Sequence, residues 1–128
     1  MSDKGWIFMI IPDMKFSVMN EDIVTADVEI KGGCCIFCER YTDSPATQLF
    51  PPKTVIDIDI VKRVFLGRCW EEGRVDNQQL LSVIGVEEYN PFLIVKETKG
   101  VSTNDKFWFR FVEDEALTWS VVNPRKSE

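Results

Sequence analysis

The sequence predicts a mainly β fold: about seven antiparallel strands forming a partly open barrel or sandwich, capped by one C-terminal α-helix. Three observations carry that reading. Residues 23–31, IVTADVEIK, alternate strictly, with Val24, Ala26, Val28 and Ile30 on one face and Thr25, Asp27, Glu29 and Lys31 on the other. Near the end, KFWFRF (106–111) alternates again, placing Phe107, Phe109 and Phe111 on one face as structural residues. The period then changes. Glu113, Asp114 and Glu115 suit a helix's first turn, Asn123-Pro124 stops it, and Val112, Ala116 and Trp119 form one helical stripe. So short a helix is unstable alone in water, so it must dock, with Trp119 as its plug.

The other elements follow in order. GWIFMII (5–11) is a short apolar strand ending at Pro12. Gly32-Gly33 supplies a tight hairpin turn after residues 23–31, and CCIFCER (34–40) is the return strand. YTDSPATQLFPPK, with three prolines, is a loop. TVIDIDIVKRVFL (54–66) reads as a strand with Ile56, Ile58 and Ile60 on one face, bending near Lys62 and ending at Gly67. Residues 68–79 are polar and irregular, and LLSVIGV (80–86) is either a short strand or part of a long loop. FLIVKE (92–97) reads as a further strand after Asn90-Pro91.

The 128 residues make one domain, 1–128, and 45% hydrophobic content excludes disorder. No apolar run approaches the ~18 residues of a membrane helix. WIFMIIP lacks the basic start and cleavage site of a signal peptide, so a soluble, cytoplasmic chain is expected, with a peripheral membrane location as the alternative. The net charge of −6 argues against nucleic acid and suits a basic protein partner. Cys34, Cys35, Cys38 and Cys69 occur without any histidine. Cys35 and Cys38 have CxxC spacing, but the second pair of a zinc site is missing, and i and i+3 on a strand point to opposite faces. Buried, reduced thiols and no metal or other cofactor are therefore expected, in a reducing compartment.

Four stretches, taken together, resemble the pleckstrin homology domains. KGWIFMI looks like their first strand, DVEIKGGCCIFCERYTDSP like their second hairpin, PKTVIDIDIVKRVFLG like their fourth strand, and EDEALTWSVV like their closing helix, with Trp119 at the helix tryptophan. DIDIVKRVFLG followed by a polar loop is also similar to the loop pattern of phospholipase C N-terminal and ELMO-type members. The resemblance implies the barrel and a phosphoinositide pocket fed by basic residues of the first strands. The chain departs from that pocket. Its first loop, IIPDMKFSVMNED, offers Lys15 alone, and Thr25, Ala26 and Asp27 stand where an arginine belongs. Only Arg40 and Lys53 are basic nearby. Weak or absent phosphoinositide and membrane binding is the expectation.

Function is thus read as a non-catalytic binding module, an adaptor in signalling or scaffolding that works through protein contacts. The candidate ligand-binding residues are Lys15, Arg40, Lys53 and Trp70, the last an aromatic in a polar loop that either anchors a partner or folds back. An exposed sheet edge accepting a peptide strand is a further surface. The alternative is a small acidic inhibitor or immunity-type protein that blocks a basic enzyme site. Catalysis is not expected: there is no histidine and no phosphate loop. Asp57 and Asp59, about 7 Å apart on a strand, read as an ordinary solvent face.

Overall fold

A computed structural model describes residues 10–125. Strands β1 (Met14–Asn20), β2 (Ile23–Lys31), β3 (Cys34–Arg40) and β4 (Phe107–Phe111) form one antiparallel sheet in the order β3-β2-β1-β4. The first three run as a meander. Gly32 and Gly33 join β2 to β3 with φ of 60° and 77°, the two positive values that a type I′ turn demands. β4 returns at the far side, with Phe16 opposite Phe111 and Val18 opposite Phe109.

Between β3 and β4 lie three helices, α1 (Ile58–Leu66), α2 (Asn77–Ile84) and α3 (Pro91–Thr98). Each is bounded by the chemistry of its ends. Asp57 caps α1, its Oδ1 accepting the Ile60 N–H at 2.9 Å. Asn90 caps α3, its Oδ1 accepting the Phe92 N–H at 3.0 Å, with Pro91 in the first turn. Gly85, at φ 78°, closes α2 in the left-handed conformation.

Val61 and Phe65 of α1 and Phe92 and Val95 of α3 bury themselves on one sheet face, against Phe16, Val18, Val28, Ile30, Phe109 and Phe111. The ring of Phe65 lies 4.9 Å from that of Phe109 and 5.3 Å from that of Phe16. The connection from α3 to β4 is tight. Gly100 sits at φ 66°, and a Cβ there would lie 2.5 Å from Phe109 Cδ2. Gly100→Ala should therefore cost about 1–3 kcal/mol, read as a lower urea midpoint at unchanged slope. Beyond β4 a 3₁₀ turn (Val112–Asp114) follows, tied back to the end of α3 by Lys99 Nζ on Asp114 Oδ2 at 2.6 Å. A single helical turn, α4 (Trp119–Val122), completes the described chain.

The structure corrects the expected fold. The described residues hold four strands, not about seven, in an open sheet, and four α-helices instead of one C-terminal cap. The described residues therefore do not form the barrel implied by the pleckstrin homology resemblance. Residues 58–66 and 92–97 are helical because their apolar runs also satisfy the helical period and each begins behind a capping Asp or Asn. Asp57 and Asp59 are accordingly a cap and a first-turn residue, with Asp59 paired to Lys62 at 3.6 Å. LLSVIGV belongs to α2 and its cap, neither strand nor loop. The acidic trio does not start a long helix: Glu113 and Asp114 fall in the 3₁₀ turn, and α4 begins only at Trp119. Trp119 is half-buried, its backbone N–H donating to Asp22 Oδ1 at 2.7 Å, and the centre of the core is held by phenylalanines instead. The strand expected over 5–11 lies outside the described residues except for Ile10 and Ile11, which are not in a strand.

Candidate functional site

β3 is an edge strand: β2 pairs with one side, and no other strand among the described residues takes the opposite side. The Tyr41 N–H donates to Thr25 O at 2.9 Å. Antiparallel alternation then turns the backbone groups of Glu39 and Phe37 toward β2 and those of Cys38 and Arg40 outward. The strand carries a bulge near its start. Glu29 faces Phe37 and Ile30 faces Cys35, so Ile36 is the extra residue. Edges are usually blunted by lysine or proline; CCIFCER has neither and leaves Ile36 and Phe37 about half exposed.

The segment after the proline loop runs alongside. Phe50 and Ile56 are buried, while Val55 between them is 88% exposed. Arg40 holds this segment, its Nη1 donating to Pro51 O at 2.7 Å and to Thr54 O at 2.8 Å. The clamped turn carries Lys53 at φ 58°, a conformation that side chains other than glycine's adopt at a cost. Between strand and segment lies a groove of about 460 Å³, lined by Ile36, Phe37, Cys38, Arg40, Lys53 and Val55 among others. Its lining includes two cations and no carboxylate, on a chain whose net charge is −6.

Two of the four sequence-derived binding residues, Arg40 and Lys53, therefore meet in one groove. Lys15 does not join them. It lies on the opposite face of the sheet, in a depression of about 330 Å³ shared with Arg110, Asp27 and Tyr41. There Ser17 Oγ and the Tyr41 hydroxyl both donate to the Asp27 carboxylate, at 2.5 and 2.7 Å. That hydrogen bond pushes the Tyr41 hydroxyl up to about 12. Trp70 is folded back and half-buried, its Nε1–H on Asn77 Oδ1 at 2.6 Å and its carbonyl accepting the Tyr89 hydroxyl. Of the three core phenylalanines expected on β4, all are buried.

The bulge also corrects the cysteine geometry. Cys35 and Cys38 face Ile30 and Val28 across the ladder, so both point to the core side, not to opposite faces. All four thiols are free; Cys34 is exposed and the other three are half-buried instead of fully buried. Burial pushes Cys38 up to about 11 and Cys69 up to about 12, which keeps both protonated near neutral pH. No three acidic or cysteine side chains among the described residues converge as a metal site would need. The groove residues missed from sequence were Ile36, Phe37, Cys38 and Val55; the only available signal was a β-prone stretch with no gatekeeping charge on its apolar positions.

A third hollow, of about 670 Å³, opens beside α3. Ile10, Val86 and Leu93 contribute apolar surface to it, and Glu87, Glu88 and Glu97 outnumber the one cation of its lining, Lys96. No helix among the described residues is long and apolar enough to cross a membrane. Set against known proteins, the chain matches no family model, no curated protein and no solved structure.

Proposed function

We propose that the chain is a non-catalytic protein-binding module that takes an extended segment of a partner onto the free edge of β3. The observation that carries this is the edge itself: outward backbone groups at Cys38 and Arg40 beside a clamped groove with exposed Ile36, Phe37 and Val55. Strand addition draws its affinity from main-chain hydrogen bonds and its specificity from the side-chain pockets alongside. The Ile36 bulge confines the addition to the half of β3 from Phe37 onward. Signalling or scaffolding would suit such a module, in a reducing aqueous compartment that keeps the four thiols free. Phosphoinositide binding stays a minor prospect in this reading, because Lys15 lies on another face and the groove is left with only two cations, too few for several clustered phosphates.

The test is selection of peptides from a displayed library against the full chain, followed by amide exchange on the complexes. Selected peptides should protect the Cys38 and Arg40 amides. Protection confined to residues 85–97 would overturn the edge reading. That outcome would favour the second reading, an acidic inhibitor of a basic site, for which the Glu87, Glu88 and Glu97 rim is the supporting observation.

A further inference from the structure

We infer that the segment taken up by β3 is acidic, with carboxylate side chains alternating with apolar ones; the inference rests on the edge reading above. A strand added beside β3 presents its side chains with period two. On the core side they meet Arg40 and Lys53. Lys53 makes no ion pair with any described residue and is exposed. It is also held in place: the two Arg40 bonds to Pro51 O and Thr54 O fix the turn that presents it. Arg40 thus supplies positive charge and stiffens the lip at once. On the other side the added strand meets Phe37 and Tyr41, both exposed, with Glu39 between them. Glu39 repels a carboxylate on that side and leaves apolar contact as the favourable choice.

The charge pattern therefore selects both composition and register: carboxylates toward Arg40 and Lys53, apolar groups toward Phe37 and Tyr41. Asp57, which follows the groove lining, is engaged by the Ile60 N–H at the start of α1 and forms no ion pair with Arg40 or Lys53, so both cations still face the groove. A second copy of the chain is the less suitable occupant. It would bring a further Arg40 and Lys53 to the same edge, where like charges repel.

The experiment uses three short end-blocked peptides in which valine alternates with glutamate, threonine or lysine. Binding to the full chain is followed by fluorescence anisotropy. The glutamate peptide should bind tightest, and its advantage over the threonine peptide should shrink as salt rises. Lys53→Ala should weaken the glutamate peptide roughly threefold to fivefold and narrow its advantage over the threonine peptide by about that factor. Lys53→Gly suits the positive φ and should lose the same preference with the fold intact by circular dichroism. Equal affinity for the glutamate and threonine peptides overturns the acidic assignment and leaves the edge reading standing. Failure of all three peptides to bind overturns the edge reading itself. A dimer in sedimentation with β3 amides protected in the absence of peptide overturns both, as does Lys53-dependent capture by anionic vesicles without peptide binding.

Discussion

Phe65→Ala is expected to lower the free energy of unfolding by about 3–5 kcal/mol, the largest loss from any single truncation argued for this chain. Phe65 is fully buried on α1 and joins three elements. Its ring lies 5.3 Å from Phe16 on β1, 4.9 Å from Phe109 on β4 and 5.5 Å from Phe92 on α3. Tilted and edge-on contacts of this kind add to simple burial. Alanine would leave a cavity between the sheet and both helices, and β1 and β4 are held in register by their own ladder, so the walls have little freedom to close on it. Phe65→Leu keeps most of the volume and should cost less than about half as much. Urea titration of both variants checks the ordering. An alanine variant within the ±0.5 kcal/mol range of ordinary surface changes would mean that α1 does not pack as described.

Local chemistry made part of this fold legible and left the rest hidden. The meander could be read because alternation in 23–31 and two glycines capable of positive φ agree with each other. β4 could be read for the same reason. The helices were harder. Ile56, Ile58 and Ile60 satisfy a strand's period, while Val61 and Phe65 satisfy a helix's, and a short apolar run does not choose between them. The choice is made at the ends, where Asp57 and Asn90 accept backbone N–H groups; both residues were visible as solvent-face or turn residues without their capping role being evident. The site was legible only as residue types. Arg40 and Lys53 stood out as basic residues near the hairpin, but their meeting depends on a segment folding back along β3. That β3 lies at an edge follows from β4 pairing with β1, a contact across some ninety positions that no local pattern encodes. The bulge at Ile36 likewise breaks the strict alternation on which the opposite-face reading of Cys35 and Cys38 relied.

Arg68→Met is expected to cost about 2–4 kcal/mol and to flatten the acid side of the stability profile. Arg68 follows the cap of α1, and its side chain is only 8% exposed. Every nitrogen of its guanidinium is engaged: Nε donates to Gly100 O at 2.8 Å, Nη1 and Nη2 donate to the two Asp105 oxygens at 2.7 and 2.8 Å, and Nη2 also reaches Phe107 O at 3.2 Å. One side chain thereby fixes the loop that leads from α3 into β4. Methionine fills the space but leaves the Gly100 and Phe107 carbonyls without these donors. Lysine offers a point charge without the planar fork, so Arg68→Lys should recover only a minor part. Asp105 is about one-third exposed, and solvent therefore shares in stabilising it; this places the expected cost below that of a fully buried pair. The same geometry sets the pH dependence. The Arg68 hydrogen bonds hold the Asp105 carboxyl below its ordinary value of 3.8, against the opposing effect of burial. A carboxylate with a depressed value in the folded chain contributes stability in full above the unfolded value and loses it as pH falls through the folded one. The wild-type chain should accordingly lose stability as pH drops below about 4. Without Arg68 the main cause of the depression is gone, so the variant should lose less over that window while starting from a lower plateau. Urea midpoints taken from neutral pH into the acid range test this. Parallel profiles for the two chains would show that Asp105 owes its acidity to something other than Arg68, and would remove the electrostatic half of the argument while leaving the lost carbonyl partners to account for the plateau.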